Sequence, residues 1–322
     1  MPVTARRAHN CACTTRSGGS FGRRVAARTS HRASPRTPIR IGACHGHTRH
    51  HRPHPWPVGH AAVLGTLVPY YEAKGYRVIT PAYPGFDIEV EALRENPDVI
   101  ATLTVPQTVD HLAGVVEALP TPPILMGHSF GGIMTQLLVD RGLGAAGVVI
   151  DSAPTEGVRT QPPSQVKSLL PILTRWSNRH KAAGFTPEQW HYAFTNTLDD
   201  AESRAVYDRY AIPAPGAWVF RYGVFANLLP GHQETWVDYG RSDRAPLLFI
   251  AGGADHIMPA AVNKSNARKY RKSGAVTDFH EFPGRSHWTC GEPGWEAVAD
   301  HALDWAVAQT SPRSPETLPH TP

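Results

Sequence analysis

Apolar and polar positions along residues 61–309 repeat with the periods of strands and helices. Short, uninterrupted apolar runs are typical of strands in a sheet that is covered on both faces. Between these runs, apolar residues recur every three to four positions, as they do on one face of a helix. This alternation predicts an α/β fold with a mostly parallel central sheet flanked by helices. The predicted strands are residues 39–46, 76–83, 123–126, 146–150, 246–251 and 277–282, and the predicted helices are 61–74, 105–119, 133–140, 260–272 and 295–308.

The alternation stops between residues 155 and 243, where aromatic residues are frequent. Thr186 followed by Pro187 is typical of a helix start, and a second helix is predicted over residues 199–210. We expect this segment to form a helical lid over the ends of the strands. The predicted division of the chain is a basic leader over 1–37, core residues 38–154, the lid over 155–243, core residues 244–309 and a disordered tail over 310–322.

The positive charge is confined to the start of the chain. Eleven arginines and no lysine precede Glu72, the first acidic residue, so residues 1–71 carry +11 and the remainder carries −6. The leader lacks a periodic apolar face, which predicts disorder. An arginine- and serine-rich, acid-poor start is typical of an organelle transit peptide, and a misassigned start would produce the same composition. No nucleic-acid motif accompanies the basic residues, so no nucleic-acid partner is predicted.

The cysteines, the histidines and the lengths of the apolar runs limit which cross-links, metal sites and membrane spans the chain can form. Cys290 is the one cysteine of four that lies beyond residue 60, which excludes a disulfide framework in the regularly patterned part of the chain and favours the cytoplasm. Six histidines between residues 45 and 60 lack the spacing of a closed zinc site, so no metal is predicted. No apolar run reaches the roughly 18 residues of a transmembrane helix, so no stable membrane insertion is predicted.

A Gly-x-Ser-x-Gly motif lies between a predicted strand and a predicted helix. A serine nucleophile must project from a sharp turn at the strand end, and Gly127 and Gly131 leave room for such a turn. The helix behind Ser129 begins where negative charge would develop during acyl transfer. Ser129 is therefore the candidate nucleophile, and the backbone N–H of Phe130 is the candidate oxyanion donor.

A serine hydroxyl needs a base, and the base needs an orienting group. His287 and Asp255 each follow the carboxyl end of a predicted strand, where parallel sheets place their sites. The chain order is therefore serine, aspartate, histidine. Asp151, at the end of the strand after the nucleophile, is the rival acid.

These motifs resemble those of the α/β-hydrolase superfamily, in its lipase- and esterase-like members. The matching segments are Gly127-His128-Ser129-Phe130-Gly131-Gly132, the acid turn from Gly252 to Pro259, and Gly284-Arg285-Ser286-His287. The resemblance implies the α/β-hydrolase fold, catalysis without a cofactor, and a second oxyanion donor after a His-Gly pair on an early strand. His45-Gly46 is such a pair, which makes the N–H of His47 the second candidate donor.

The resemblance implies hydrolysis of carboxylic esters through an acyl-enzyme intermediate. The aromatic residues of the predicted lid favour a small-molecule substrate with an apolar acyl or alkyl group, and the expected contacts are His128, Trp190, Phe194 and Trp288. Thioester, amide or carbon–carbon hydrolysis and peroxyacid formation use the same triad and stay open. A non-catalytic binding protein is the alternative if the early oxyanion strand is defective. The oligomeric state is not predicted.

Overall fold

The computed structural model describes residues 39–41, 65–222 and 231–310, with residues 39–41 described for their backbone alone. The predicted leader over 1–37, the oxyanion candidate His47 and tail residues 311–322 lie outside the described residues. The strands are β1 (Ile39–Ile41), β2 (Ile124–His128), β3 (Ala146–Ile150), β4 (Ala182–Ala183), β5 (Ala214–Pro215), β6 (Leu247–Gly252) and β7 (Thr277–Phe282). The helices are α1 (Leu67–Ala73), α2 (Val90–Glu95), α3 (Val105–Glu117), α4 (Phe130–Asp140), α5 (Pro163–Leu173), α6 (Pro187–Phe194), α7 (Asp200–Tyr210), α8 (Gly216–Tyr222), α9 (Ala260–Lys269) and α10 (Trp295–Thr310).

Five parallel strands form the central sheet in the order β1-β2-β3-β6-β7. Every residue of β2, β3 and β6 is buried, as expected for uninterrupted apolar runs in a sheet covered on both faces. The predicted early strand is present as Ile39–Ile41 and pairs with Ile124–Met126 of β2. The predicted parallel α/β sheet is therefore confirmed.

The prediction of a strand over residues 76–83 is wrong, because this segment forms no strand in the structure. Tyr76 and Val78 pack against the apolar cluster on one side of the sheet, and Tyr83 is buried on the other. The apolar residues that produced the strand pattern therefore pack as expected. A strand also needs a hydrogen-bonded neighbour, however, and Pro81 removes one backbone donor from this segment.

The predicted helices are present in the described part of the chain, with shifts at their ends, and residues 61–64 of the first one lie outside the described residues. Helix α4 begins at Phe130, three residues earlier than predicted and directly after Ser129. Helix α9 ends at Lys269, and one turn of 3-10 helix completes the predicted range. Helix α3 begins with a reciprocal cap between Thr104 and Gln107 that the sequence prediction did not include. Among the described residues, no helix has both the length and the apolar character needed to cross a membrane.

Residues 155–243 lie between the adjacent strands β3 and β6, and we call them the inserted segment. Helices α5 to α8 and the small antiparallel pair β4–β5 form its described part. Thr186 caps α6 as predicted, accepting a hydrogen bond from the Gln189 N–H at 3.3 Å. Asp199 caps α7 in the same way by accepting from the Glu202 N–H at 2.8 Å. Helices α5 and α8 were not predicted.

Candidate active site

Ser129 occupies a strained turn between β2 and α4. Its φ is 56° and its ψ is −121°, a combination that side-chain-bearing residues rarely adopt. A Cβ added to Gly127 would lie 2.0 Å from the carbonyl oxygen of Gly131, and one added to Gly132 would lie 2.3 Å from the Ser152 hydroxyl. The glycines of the motif therefore allow the turn to close.

Backbone hydrogen bonds hold the strained residue in place. The Ser129 N–H donates to the carbonyl of Ile150 at 3.0 Å, and the Ser129 carbonyl accepts from the N–H groups of Gly132 and Ala153. Phe130 is the first residue of α4, so its N–H belongs to the first turn, which has no partner within the helix. This N–H can donate to an oxyanion that forms next to Ser129.

His287 and Asp255 form a buried hydrogen-bonded pair. Nδ1 of His287 lies 2.6 Å from Oδ2 of Asp255. The other carboxylate oxygen, Oδ1, accepts from the backbone N–H groups of Ile257 and Met258 at 2.8 and 2.9 Å. These contacts leave the carboxylate one orientation, with Oδ2 directed at the imidazole ring.

The second nitrogen of His287 is available for proton transfer. Nε2 is buried and has no hydrogen-bond partner among the described residues, and both His287 and Ser129 line one cavity. A hydrogen bond between the two side chains is therefore not formed in this state, although such bonds often tighten when substrate binds. The ring of Phe194 contacts the His287 ring edge-on, with the ring centroids 5.2 Å apart.

Asp151, the rival acid, does not contact His287 through a hydrogen bond. Its Oδ1 accepts from the Gly252 N–H at 2.6 Å, and its buried Oδ2 has no hydrogen-bond partner in the described structure. Nε2 of His128 lies 3.9 Å from this Oδ2 and 2.9 Å from the carbonyl oxygen of His287. Because a carbonyl only accepts, Nε2 of His128 carries a proton. Burial raises the pKa of the Asp151 carboxyl well above its ordinary value, and the negative charge of Asp255 adds to this effect.

Asp151→Asn is expected to stabilise the protein by an amount that grows with pH. The folded state holds the Asp151 proton more tightly than the unfolded chain does, so the free energy of unfolding falls as pH rises above the ordinary carboxyl pKa. Asparagine does not ionise and tolerates the positive φ of 45° at this position. The variant's free energy of unfolding should exceed that of the wild type by a margin that grows with pH above about pH 4. The margin should grow by up to about 1.4 kcal/mol per pH unit until the pH passes the raised pKa of Asp151. Urea unfolding at several pH values measures it, and a pH-independent difference would contradict the expectation.

An apolar cavity of about 140 Å³ opens beside Ser129. Three of the four predicted substrate contacts line it, namely His128, Trp190 and Phe194. The rings of Trp190 and Phe194 stack with their centroids 4.2 Å apart. Its remaining walls come mainly from aliphatic and aromatic residues of the inserted segment. They include Leu169, Ile172, Phe185, Tyr210 and Val219.

Trp288, the fourth predicted contact, is not among the residues that line the cavity. Its ring packs beside Tyr210, with the centroids 5.0 Å apart, and occupies the space next to Gly291. Its backbone N–H is within hydrogen-bond distance of the Phe194 carbonyl at 3.0 Å and of the Ser286 hydroxyl at 3.2 Å.

Glu292 is a buried carboxylate under the His287 loop that the sequence reasoning missed. Its Oε1 accepts from the Ser286 N–H at 3.1 Å, and its Oε2 accepts from the Ser286 hydroxyl at 3.2 Å and from Thr197 at 2.6 Å. It therefore joins the His287 loop to the residues after α6. The signal in the sequence was weak, because a glutamate five residues after a histidine fits many loops.

The end of α6 also holds the acid turn. The Asn196 side chain donates to the Ala254 carbonyl at 2.9 Å, and Nδ1 of His256 donates to the Tyr192 carbonyl at 2.8 Å. With the contacts of Trp288 and Glu292, these bonds join the inserted segment to the loops of both Asp255 and His287. The orientation of the Asp255–His287 pair therefore depends on the inserted segment.

Glu292→Gln is expected to lower kcat about 10-fold with little change in KM. The amide keeps one acceptor oxygen for the Ser286 and Thr197 donors, so the His287 loop loses part of its support; a hydrogen bond to a charged group contributes about 1.5–3 kcal/mol. Steady-state kinetics and thermal unfolding measure the effect. Glu296→Gln, an exposed change four residues later, is the control. Equal kinetics of the two variants would show that Glu292 does not position the loop.

Residues 43–301 match the alpha/beta hydrolase family. The chain belongs to this family. The family resemblance drawn from the sequence motifs is thereby confirmed. A search of curated proteins found no match.

Solved structures of α/β-hydrolases share the fold. A monoacylglycerol lipase from Paleococcus ferrophilus is 20% identical, with a TM-score of 0.54, and the match covers 85% of this chain and 96% of that one. A thermophilic esterase from Thermogutta terrifontis is 18% identical, with a TM-score of 0.55 and coverage of 85% and 92%. An extracellular alpha/beta-hydrolase from a Paenibacillus species is 17% identical, with a TM-score of 0.56 and coverage of 84% and 99%. At these identities the likeness shows the fold alone.

Proposed function

We propose that this protein is a serine hydrolase that cleaves carboxylic esters. The observation that carries the proposal is the combination of Ser129 on a strained strand-to-helix turn with a His287 ring that Asp255 holds at 2.6 Å. The lipase and esterase among its structural neighbours support the same class. No cofactor takes part in this reaction.

In the proposed reaction, Oγ of Ser129 attacks the ester carbonyl and Nε2 of His287 accepts its proton. Asp255 fixes the tautomer of the ring and stabilises the imidazolium that forms. The N–H of Phe130 donates to the oxyanion, with His47 as the proposed second donor. His287 then protonates the leaving alcohol, and water, activated by the same ring, releases the acyl group.

The cavity supports a small apolar group on one side of the ester. Its volume of about 140 Å³ is close to that of engineered cavities that bind benzene. We propose that the inserted segment acts as a lid that supplies the apolar walls and excludes water. Esters whose acyl or alkyl group is short, or carries a single ring, should therefore react faster than esters of long fatty acids.

Covalent labelling tests the proposed nucleophile. A fluorophosphonate should modify wild-type protein at Ser129, as mapped by mass spectrometry, and should not modify Ser129→Ala. Hydrolysis of p-nitrophenyl esters of increasing acyl length then tests the substrate class. Labelling at a different serine, or hydrolysis without labelling, would overturn the proposal.

Leu169→Ala is expected to shift the preference toward longer acyl groups. Leu169 is buried and lines the cavity, whereas the adjacent Leu170 is 45% exposed and does not. Truncation of Leu169 removes part of the apolar wall and so enlarges the cavity. It should also lower the free energy of unfolding by about 2–5 kcal/mol. The ratio of kcat/KM for longer over shorter p-nitrophenyl esters should rise in Leu169→Ala and stay unchanged in the control Leu170→Ala. An unchanged ratio in both variants would place the acyl group elsewhere.

A further inference from the structure

His128, Asp151 and His287 form a cluster of three metal-ligating side chains that the proposed reaction does not use as a unit. Each offers one ligand atom, and these atoms lie within 4.8 Å of one another. All three side chains are buried. Two imidazoles and one carboxylate are a ligand set that zinc enzymes use, with a fourth position left open.

Two buried atoms in this cluster lack partners. Oδ2 of Asp151 and Nε2 of His287 have no hydrogen-bond partner among the described residues. A buried polar group without a partner is costly, so a ligand that coordinates both atoms would remove two such penalties.

The surrounding contacts resemble those that support metal ligands. The opposite nitrogen of His287 is bound to the Asp255 carboxylate, an arrangement that fixes the orientation of a ligating imidazole. The opposite oxygen of Asp151 is fixed by the Gly252 N–H.

We propose that a divalent cation of the zinc type binds His128, Asp151 and His287 and reversibly inhibits the enzyme. Coordination occupies Nε2 of His287, the atom that must accept the Ser129 proton, so hydrolysis stops while the cation is bound. The cavity lined by His128, Ser129 and His287 provides the entry path. Nε2 of His128 donates to the His287 carbonyl in the free protein. Coordination at that nitrogen requires its proton to move to Nδ1 of the same ring and breaks this bond, so the affinity should be lower than that of a structural zinc site.

The binding test uses full-length protein and ZnCl₂ and does not depend on activity. In equilibrium dialysis with metal analysis, Ser129→Ala should bind one more zinc ion per chain than Ser129→Ala/Asp151→Asn. The histidines between residues 45 and 60 are present in both proteins, so zinc bound there cancels in the comparison. Equal stoichiometry in two folded proteins, as judged by circular dichroism, would overturn the site.

The inhibition test rests on the proposed function, whereas the binding test does not. A failure of the proposed function would therefore affect only the inhibition test. Zinc should inhibit ester hydrolysis by the wild type, a chelator should restore it, and Asp151→Asn should raise the half-inhibitory zinc concentration at least about 10-fold. Zinc should also slow fluorophosphonate labelling of wild-type Ser129, a readout that needs no variant. Inhibition that is equal in wild type and Asp151→Asn, or labelling that zinc does not slow, would overturn the proposal.

Discussion

Ser129→Ala should lose ester hydrolysis by about 10⁴–10⁶-fold in kcat while keeping the fold. The change removes one hydroxyl and retains the Cβ, so the backbone strain at φ 56° and the packing around the turn stay the same. Steady-state kinetics with a short-chain p-nitrophenyl ester and thermal unfolding measure the two quantities. Ser265→Ala removes a serine hydroxyl that does not line the active-site cavity, and it should retain activity.

Ser129→Gly separates catalysis from strain in the same position. It should be as inactive as the alanine variant, yet more stable by about 1 kcal/mol, because glycine adopts the positive φ without the cost that a Cβ imposes. Near-wild-type turnover in either variant would show that Ser129 is not the nucleophile. A glycine variant no more stable than the alanine variant would show that the turn stores little strain.

Asp255→Asn should lower kcat by about 10⁴-fold without unfolding the protein. The asparagine oxygen can still accept from the N–H groups of Ile257 and Met258, so the acid turn stays closed. The amide nitrogen, however, replaces the oxygen that accepts the Nδ1 proton of His287 at 2.6 Å. The ring then loses the tautomer that leaves Nε2 free to accept a proton.

Asp151→Asn is the matched control, because it makes the same carboxylate-to-amide change in the same buried region. Asp151 makes no hydrogen bond to His287 in the described structure, so its variant should keep most of the basal hydrolysis. The kcat of both variants, measured in the absence of divalent cations, decides between the two acids. A larger loss in Asp151→Asn than in Asp255→Asn would reverse the assignment.

Features encoded by neighbouring residues could be predicted from the sequence. The turn at Ser129 follows from Gly127 and Gly131, because a Cβ on Gly127 would lie 2.0 Å from the carbonyl oxygen of Gly131, four residues away. The start of α6 follows from Thr186 and Gln189, three residues apart. The uninterrupted apolar runs predicted β2, β3 and β6, since burial on both faces leaves no polar alternation.

Features that depend on contacts between distant residues required the tertiary structure. Asp151 and Asp255 both follow a strand, so the local pattern does not choose between them. The choice depends on which carboxylate reaches the ring of His287, which lies 32 residues beyond Asp255. The segment 76–83 carries a strand pattern, but ladder pairing needs a neighbour that no local pattern supplies. The support of the His287 loop by Glu292 and Thr197 joins residues 95 positions apart, and spacing in the sequence does not predict such a hydrogen bond. Local patterns therefore determined the buried central strands and the turn at Ser129, whereas long-range hydrogen bonding decided which polar side chains lie together.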